Sequence, residues 1–204
     1  MRKALLLLIM LSGISLIAWS GWHNWHANKS ALEAQQANKV TLLPDNSAAD
    51  AASPDAPSPL LGKPAPPLSL EDLNGKHVTL ADFKGHPLVV NFWGTYCAPC
   101  KIEMPWLEDL SKKYAADGFD VIGVTYDSEV GVPTIEKNVQ KLGVTYPILL
   151  SDRQAEKDYL SNSEVLPMSF YVDKTGKVVQ VAAGASSEDE LEAMVKQTIA
   201  GKVN

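Results

Sequence analysis

An α/β sandwich around a mixed sheet is the fold class this sequence predicts, and three observations carry it. The run from Pro87 to Trp93 has a core, Leu88-Val89-Val90, that is apolar throughout rather than alternating, the pattern of a strand covered on both faces. Helix-like and strand-like stretches then follow one another along the chain. Near the end, two strand-like runs, Met168 to Val172 and Lys177 to Ala182, are split only by the turn Lys174-Thr175-Gly176, which pairs them antiparallel. At 204 residues, 46% hydrophobic and 21% charged, the chain is long enough for one well-packed domain with appendages.

The appendages come first. After Arg2 and Lys3, the stretch from Ala4 to Trp22 carries no charge; as a helix its roughly 19 residues span about 28 Å, enough to cross a bilayer. Trp19, Trp22 and Trp25 cluster at its far end, at the headgroup level that aromatic side chains favour, and the basic pair at its start directs the rest of the chain out of the cytoplasm. Residues 1–22 are therefore expected to be an uncleaved anchor in the cytoplasmic membrane. The alternative is a cleaved signal peptide with Ala18-Trp19-Ser20 as its small-x-small site, leaving a soluble periplasmic protein. Residues 23–59 turn to Ala, Asn, Ser, Asp and Pro and read as a flexible tether, with at most a weak helix over Ala27 to Lys39 and an end-to-end distance of roughly 30–35 Å. His23 and His26 flank Trp25 but lack further ligands, so they are read as interfacial polar residues rather than a metal site.

The folded domain is expected over residues 60–204. Leu68-Ser69-Leu70 and His77-Val78-Thr79-Leu80 flank Asn74-Gly75 and predict a hairpin. After the strand ending at Trp93, Cys97 to Ala116 is helical in pattern, with Pro105 removing one backbone donor and kinking the helix. Phe119 to Tyr126 is the next strand, Val132 to Leu142 a second helix, Tyr146 to Leu150 a third core strand, and Arg153 to Leu160 a short helix. Following the antiparallel pair, Ser187 to Ala200 closes the chain as a helix, and Ser186/Ser187 ahead of Glu190 marks its start as a capping box.

The only two cysteines, Cys97 and Cys100, sit between the apolar strand and the helix-like run. A Cys-x-x-Cys that opens a helix puts its first sulfur beside unpaired N–H groups and the positive end of the helix dipole, both of which favour thiolate. Cys97 is thus the expected nucleophile, and Cys100, one turn further in, the resolving thiol that attacks a mixed disulfide on the first. Other readings fit less well. Structural zinc needs four ligands, and His23, His26, His77 and His86 supply no second ligand pair near the dithiol. A stabilising staple gains little from so short a loop. Inert buried cysteines do not call for a turn-to-helix setting. The formal net charge of −6, with no Lys/Arg run beyond Arg2-Lys3, sets nucleic-acid binding aside.

The run Val90-Asn91-Phe92-Trp93-Gly94-Thr95-Tyr96-Cys97-Ala98-Pro99-Cys100-Lys101, followed by Leu166-Pro167-Met168-Ser169-Phe170-Tyr171-Val172-Asp173, resembles the thioredoxin superfamily. More closely, the chain is similar to the membrane-anchored TlpA/ResA-like thiol-disulfide oxidoreductases. Gly62-Lys63-Pro64-Ala65-Pro66, Leu80-Ala81-Asp82-Phe83-Lys84-Gly85 and Glu103-Met104-Pro105 extend the likeness over about Leu60 to Asn204. The resemblance implies a thioredoxin-like fold, a central mixed sheet flanked by helices, with an N-terminal β-hairpin extension and a central insertion, preceded by a single transmembrane helix. It also implies a cis Pro167 packed against the dithiol, with the backbone N–H and C=O of Leu166 offered to an extended substrate segment. Trp93 is expected to shield one side of the site or to belong to the core. Tyr96 replaces the Trp more often seen before the first cysteine and keeps an amphipathic aromatic facing substrate. Asn91 stands where thioredoxins proper carry a buried acid, so the proton-handling role falls to another group. Glu103, three residues after Cys100 on the same helix face, is the acid that the family suggests; a desolvated Glu there has a raised pKa and exchanges protons near neutrality. A solvated surface glutamate is the competing reading.

The function so implied is that of an extracytoplasmic disulfide reductase. It would need no cofactor or metal, would be kept reduced by a membrane electron donor of the thiol-relay type, and would act as a monomer on an oxidised client such as apocytochrome c. Glu164-Val165-Leu166-Pro167-Met168 lacks the Gly-Ala-Pro-Glu-like stretch usual in the cytochrome-maturation subgroup. Three alternatives stand beside it. An oxidase or isomerase is compatible with Ala98-Pro99 between the cysteines. A copper chaperone on the same fold needs wider cysteine spacing and a late histidine, yet no histidine follows His86. A peroxiredoxin-type peroxidase needs a threonine three residues before its cysteine, where Gly94 stands.

Overall fold

The computed structural model of the protein describes residues 58–161 and 163–203. The expected anchor, residues 1–22, and all of the expected tether but Ser58 and Pro59 lie outside the described residues. Among the described residues no helix is long and apolar enough to cross a membrane, and no cluster of three or more metal-ligating side chains occurs.

A run that is apolar on both faces seeks the middle of a sheet, and this one finds it. The third strand, β3 (Leu88–Trp93), is buried at every position. It is flanked by β4 (Asp120–Thr125), which is parallel to it, and β6 (Met168–Val172), which is antiparallel. β5 (Ile148–Leu150) adds parallel to β4, and β7 (Val178–Ala183) adds antiparallel to β6, giving a five-stranded mixed sheet in the order β5-β4-β3-β6-β7. The predicted hairpin forms a separate two-stranded sheet, β1 (Ser69–Glu71) with β2 (His77–Thr79). Its turn is built by Asp72, whose side chain accepts the N–H groups of Asn74 and Lys76 at 2.8 and 2.9 Å, while Gly75 takes the left-handed conformation (φ 77°).

Period-2 alternation sorts the β3 side chains between two layers. Val89 and Trp93 face α1 (Ala98–Lys113), α2 (Val132–Leu142) and α4 (Glu188–Ile199), packing with Met104, Leu107, Ile135, Leu191 and Val195. Leu88, Val90 and Phe92 face the hairpin and α3 (Arg153–Ala155), packing with Leu68, Leu70, Tyr159 and Phe170. The Phe92, Phe170 and Tyr159 rings lie 5.0–6.0 Å apart, and the Tyr159 hydroxyl donates to the Pro66 carbonyl at 2.7 Å. The segment before the hairpin runs beside β7, where Gly62 N–H donates to the Val178 carbonyl and Val178 N–H to the Lys63 carbonyl, both at 2.8 Å. At the opposite edge Asp72 bridges Leu149 of β5.

Several boundaries differ from expectation for identifiable reasons. Helix α1 begins at Ala98 because Cys97 is its N-cap, and it stops at Lys113 in a short 3₁₀ turn closed by left-handed Gly118. Strand β5 begins at Ile148 rather than Tyr146, since Pro147 has no N–H to give the ladder. The expected helix over Arg153 to Leu160 widens to π geometry from Glu156 to Leu160. α2, β5 and α3 lie in the chain between β4 and β6. The capping box forms as read, with Ser187 accepting the Glu190 N–H and Glu190 reaching back to the Ser187 N–H at 2.8 Å.

One buried side chain ties the dithiol-bearing helix to the sheet edge. Glu108 of α1, 3% exposed, accepts the Thr145 N–H and hydroxyl at 2.7 and 2.5 Å and the Tyr146 N–H at 3.2 Å, and pairs with Lys112 at 2.9 Å. Burial alone raises its pKa, but these partners outweigh burial and hold the carboxyl below the usual range. Replacing Glu108 with Ala strands two backbone donors and a hydroxyl. Urea denaturation of the oxidised protein should show a loss of about 2–4 kcal/mol in unfolding free energy; a loss within experimental error would mean water satisfies those donors equally well.

Candidate active site

The site lies where β3 ends. Trp93 is its last residue, and Gly94, Thr95 and Tyr96 carry the chain to Cys97, whose N–H closes a turn on the Gly94 carbonyl at 3.0 Å. Pro99 sits at the second helical position, where the N–H it lacks would have had no intrahelical acceptor. Cys100 therefore supplies the N–H that reaches back to Cys97 Sγ, at 3.2 Å. Cys97 and Cys100 form a disulfide, with an S–S distance of 1.99 Å. Cys97 is 6% exposed and Cys100 wholly buried, so an attacking thiol can approach only the first sulfur.

The inward face of α1 carries Cys100, Glu103, Met104 and Leu107, at the i, i+3, i+4, i+7 spacing of one helix stripe. Glu103 is accordingly buried, at 2% exposure, which excludes the solvated-surface reading. Burial pushes its pKa up to about 7, partly offset by the Ser186 N–H, 3.4 Å from Oε2, and by the Ser169 hydroxyl. Asn91, on the same face of β3, is itself buried and donates to Ser169 Oγ at 2.9 Å. The hydroxyls of Tyr146 and Tyr171 are buried without a partner among the described residues. Burial raises both their pKa values first; Glu108 and Glu103 add to the effect at Tyr146, and Glu103 at Tyr171.

The Leu166–Pro167 peptide bond is cis, as the family pattern implies. The Pro167 carbonyl accepts from Gly184, while the N–H and C=O of Leu166 have no hydrogen-bond partner among the described residues. Tyr96 is 65% exposed, and Ile102 and Val165, also exposed, carry further apolar surface beside the dithiol and the cis-proline in the chain. Of the two readings expected for Trp93, the core one fits, and a direct substrate contact does not: it has no accessible surface and lies in the core cluster with Cys97, Cys100 and Val89. The reason is periodicity, since Trp93 shares the α1-facing side of β3 with Val89 and Asn91.

Sequence reasoning missed Ser169, Tyr146, Tyr171 and Asp127. Ser169 was hidden because its closeness to Glu103 depends on strand register: it pairs opposite Asn91 across β3 and β6. Asp127 sits two residues beyond β4 and accepts the Thr95 N–H, 3.0 Å from both its oxygens, as well as the Thr95 hydroxyl. No local motif announces a contact across 32 residues.

The family model described as AhpC/TSA family matches residues 61–181, more than half of the chain. The chain belongs to the AhpC/TSA family. Within this thioredoxin-like family it is similar to the thiol-disulfide oxidoreductase ResA of Geobacillus kaustophilus, at 36% identity over 134 residues that cover 65% of this chain and 74% of that protein. It is similar too to ResA of Bacillus subtilis, at 37% identity over 62% of this chain and 69% of the relative. Among solved structures, a thiol:disulfide interchange protein of the thioredoxin family from Chlorobium tepidum matches with a TM-score of 0.60 and 27% identity, covering 67% of this chain and 95% of that one. With the dithiol in place on this fold, the protein is a thiol-disulfide oxidoreductase.

Glu103 makes a stability prediction with a definite sign. Its folded pKa lies above the ordinary 4.5, so the folded state binds the proton more tightly and the protein loses stability as pH rises from about 4.5 to about 7. Glu103→Gln removes that loss. Thermal melts of the oxidised protein should coincide for the two forms near pH 4 and diverge above pH 7, the variant being the more stable by on the order of 3 kcal/mol. A difference that does not change with pH would show that Glu103 titrates normally.

Proposed function

We propose that the protein is an extracytoplasmic disulfide reductase of client proteins. The observation that carries the reading is the pairing of the nearly buried Cys97–Cys100 disulfide with a buried carboxyl, pushed up by burial to about 7, on the same helix face. The Cys97 thiolate attacks a client disulfide, forming a Cys97–client mixed disulfide and releasing one client thiolate. Cys100 then gives up its proton and attacks Cys97 Sγ, releasing the second client thiolate and forming the Cys97–Cys100 disulfide. Two electrons pass to the client; one of its two thiolates is balanced by the proton that Cys100 gives up, and the other takes its proton from solvent. Glu103 is the group proposed to take the Cys100 proton, the task Asn91 cannot perform, because its amide does not titrate.

Client binding follows from the open backbone at Leu166, which can add an extended segment as a short strand, and from the exposed Tyr96, Ile102 and Val165. The resemblance to ResA proteins supports an oxidised apocytochrome c or another secreted dithiol protein as client. The uncharged run from Ala4 to Trp22 behind Arg2-Lys3 supports anchoring in the cytoplasmic membrane with the domain outside, where a membrane thiol-relay donor would return the dithiol to its reduced state.

The reduction potential of the Cys97–Cys100 couple, measured by equilibration with glutathione buffers, decides the direction of electron flow. A value near or below about −220 mV is expected; one near about −120 mV would make the protein an oxidase. A second result should accompany the first. Cys100→Ser, lacking the resolving thiol, is expected to accumulate a mixed disulfide between Cys97 and an oxidised peptide, visible by mass spectrometry, whereas Cys97→Ser forms none. Trapping through Cys100 instead would reverse the assigned roles.

A further inference from the structure

The loop that delivers Cys97 is held from outside its own helix and strand. Tyr126 N–H donates to the Trp93 carbonyl at 2.7 Å, and the next residue, Asp127, directs its carboxylate at the N–H and hydroxyl of Thr95. The segment after β4 therefore grips the loop on either side of Gly94, and the Gly94–Cys97 hydrogen bond transmits that grip to the cysteine. Asp127 is 3% exposed, a costly place for a charge unless its hydrogen bonds repay the burial. Its charge also reaches the dithiol's neighbour. Burial first, then Asp127 ahead of Tyr126, Glu129 and Glu164, raises the Tyr96 pKa. Of the other ionisable groups nearby, Lys101 and Glu103 lie on α1, and none of these side chains is hydrogen-bonded to the Trp93–Cys97 loop among the described residues.

We propose that Asp127 is a positioning residue of the dithiol, fixing the Gly94–Cys97 turn and, through its negative charge beside that turn, disfavouring the Cys97 thiolate. A carboxylate near a nascent thiolate opposes the stabilisation that the Cys100 N–H and the helix N-terminus provide. Destabilising the thiolate destabilises the reduced form relative to the disulfide, so the couple is made more reducing. The Thr95 hydroxyl, donating to the carboxylate, tempers that charge. The assignment requires only dithiol chemistry and holds whichever way electrons flow.

Two substitutions in the full chain separate charge from architecture. Asp127→Asn keeps an acceptor for the Thr95 N–H and removes the charge. Thr95→Val keeps the charge and the N–H contact but removes the tempering hydroxyl. The readouts are the shift of the reduction potential from wild type and the pH dependence of Cys97 alkylation by iodoacetamide in the reduced protein. Asp127→Asn should move the alkylation midpoint to lower pH and shift the thiol-disulfide equilibrium toward the dithiol by at least about threefold, about 14 mV on a two-electron couple. Thr95→Val should move both in the opposite direction. Loss of a merely structural latch would move the two variants the same way. Shifts of the same sign, or none, overturn the proposal, and if one variant does not fold, the sign of the other decides. Because only differences from wild type are read, an oxidase-like absolute potential would refute the reductase reading and leave this test intact.

Discussion

Burial of a carboxyl among apolar side chains on the inner face of α1 is the constraint around which the rest of the site is arranged. Glu103 shares its stripe with Cys100, Met104 and Leu107, all packed against the central strand. A leucine there would serve stability better, since the carboxyl gives up its hydration and recovers only one long N–H contact and the Ser169 hydroxyl. The hydroxyls of Tyr146 and Tyr171, without a partner among the described residues, and Asn91 make the space under the helix polar without giving Glu103 a counter-charge, so its carboxyl keeps its proton up to about neutral pH.

The topology supplies the remaining parts from one end of the sheet. β3 and β4 are parallel, so the loop leaving β3 with Cys97 and the loop leaving β4 with Asp127 emerge side by side. β6 is antiparallel to β3, so it begins where β3 ends, which brings cis Pro167 and the open backbone of Leu166 to the same end. A ligand-handling site at the carboxyl ends of parallel strands is the general rule for open α/β sheets; here one reversed strand brings the cis-proline to that end as well.

How much of this could be read in advance depended on whether the signal was local. The strands, the hairpin turn at Asn74-Gly75, helix α2 and the capping box at Ser187 were legible because period, turn chemistry and caps act over a few residues. The dithiol and its helix were legible for the same reason. Glu103 could be placed on the right face from its spacing, yet its burial depended on α1 packing against β3 and on the chain around Ser186, which no spacing reveals. Trp93 was read two ways because an aromatic shortly before a reactive cysteine suggests contact, whereas strand alternation turns it into the core. Ser169 and Asp127 were invisible: each acts across a register or loop juxtaposition that exists only once the sheet has formed.

The stretch from Gly62 to Asp72 has a role beyond completing a hairpin. It hydrogen-bonds to the start of β7 at one border of the five-stranded sheet, crosses the layer opposite α1 with Leu68 and Leu70 in the core, and bridges β5 at the other border. Unpaired strand borders invite self-association. One continuous ribbon thus covers part of each, and a chain starting at β3 would keep the dithiol and Glu103 yet expose more of both margins to its neighbours.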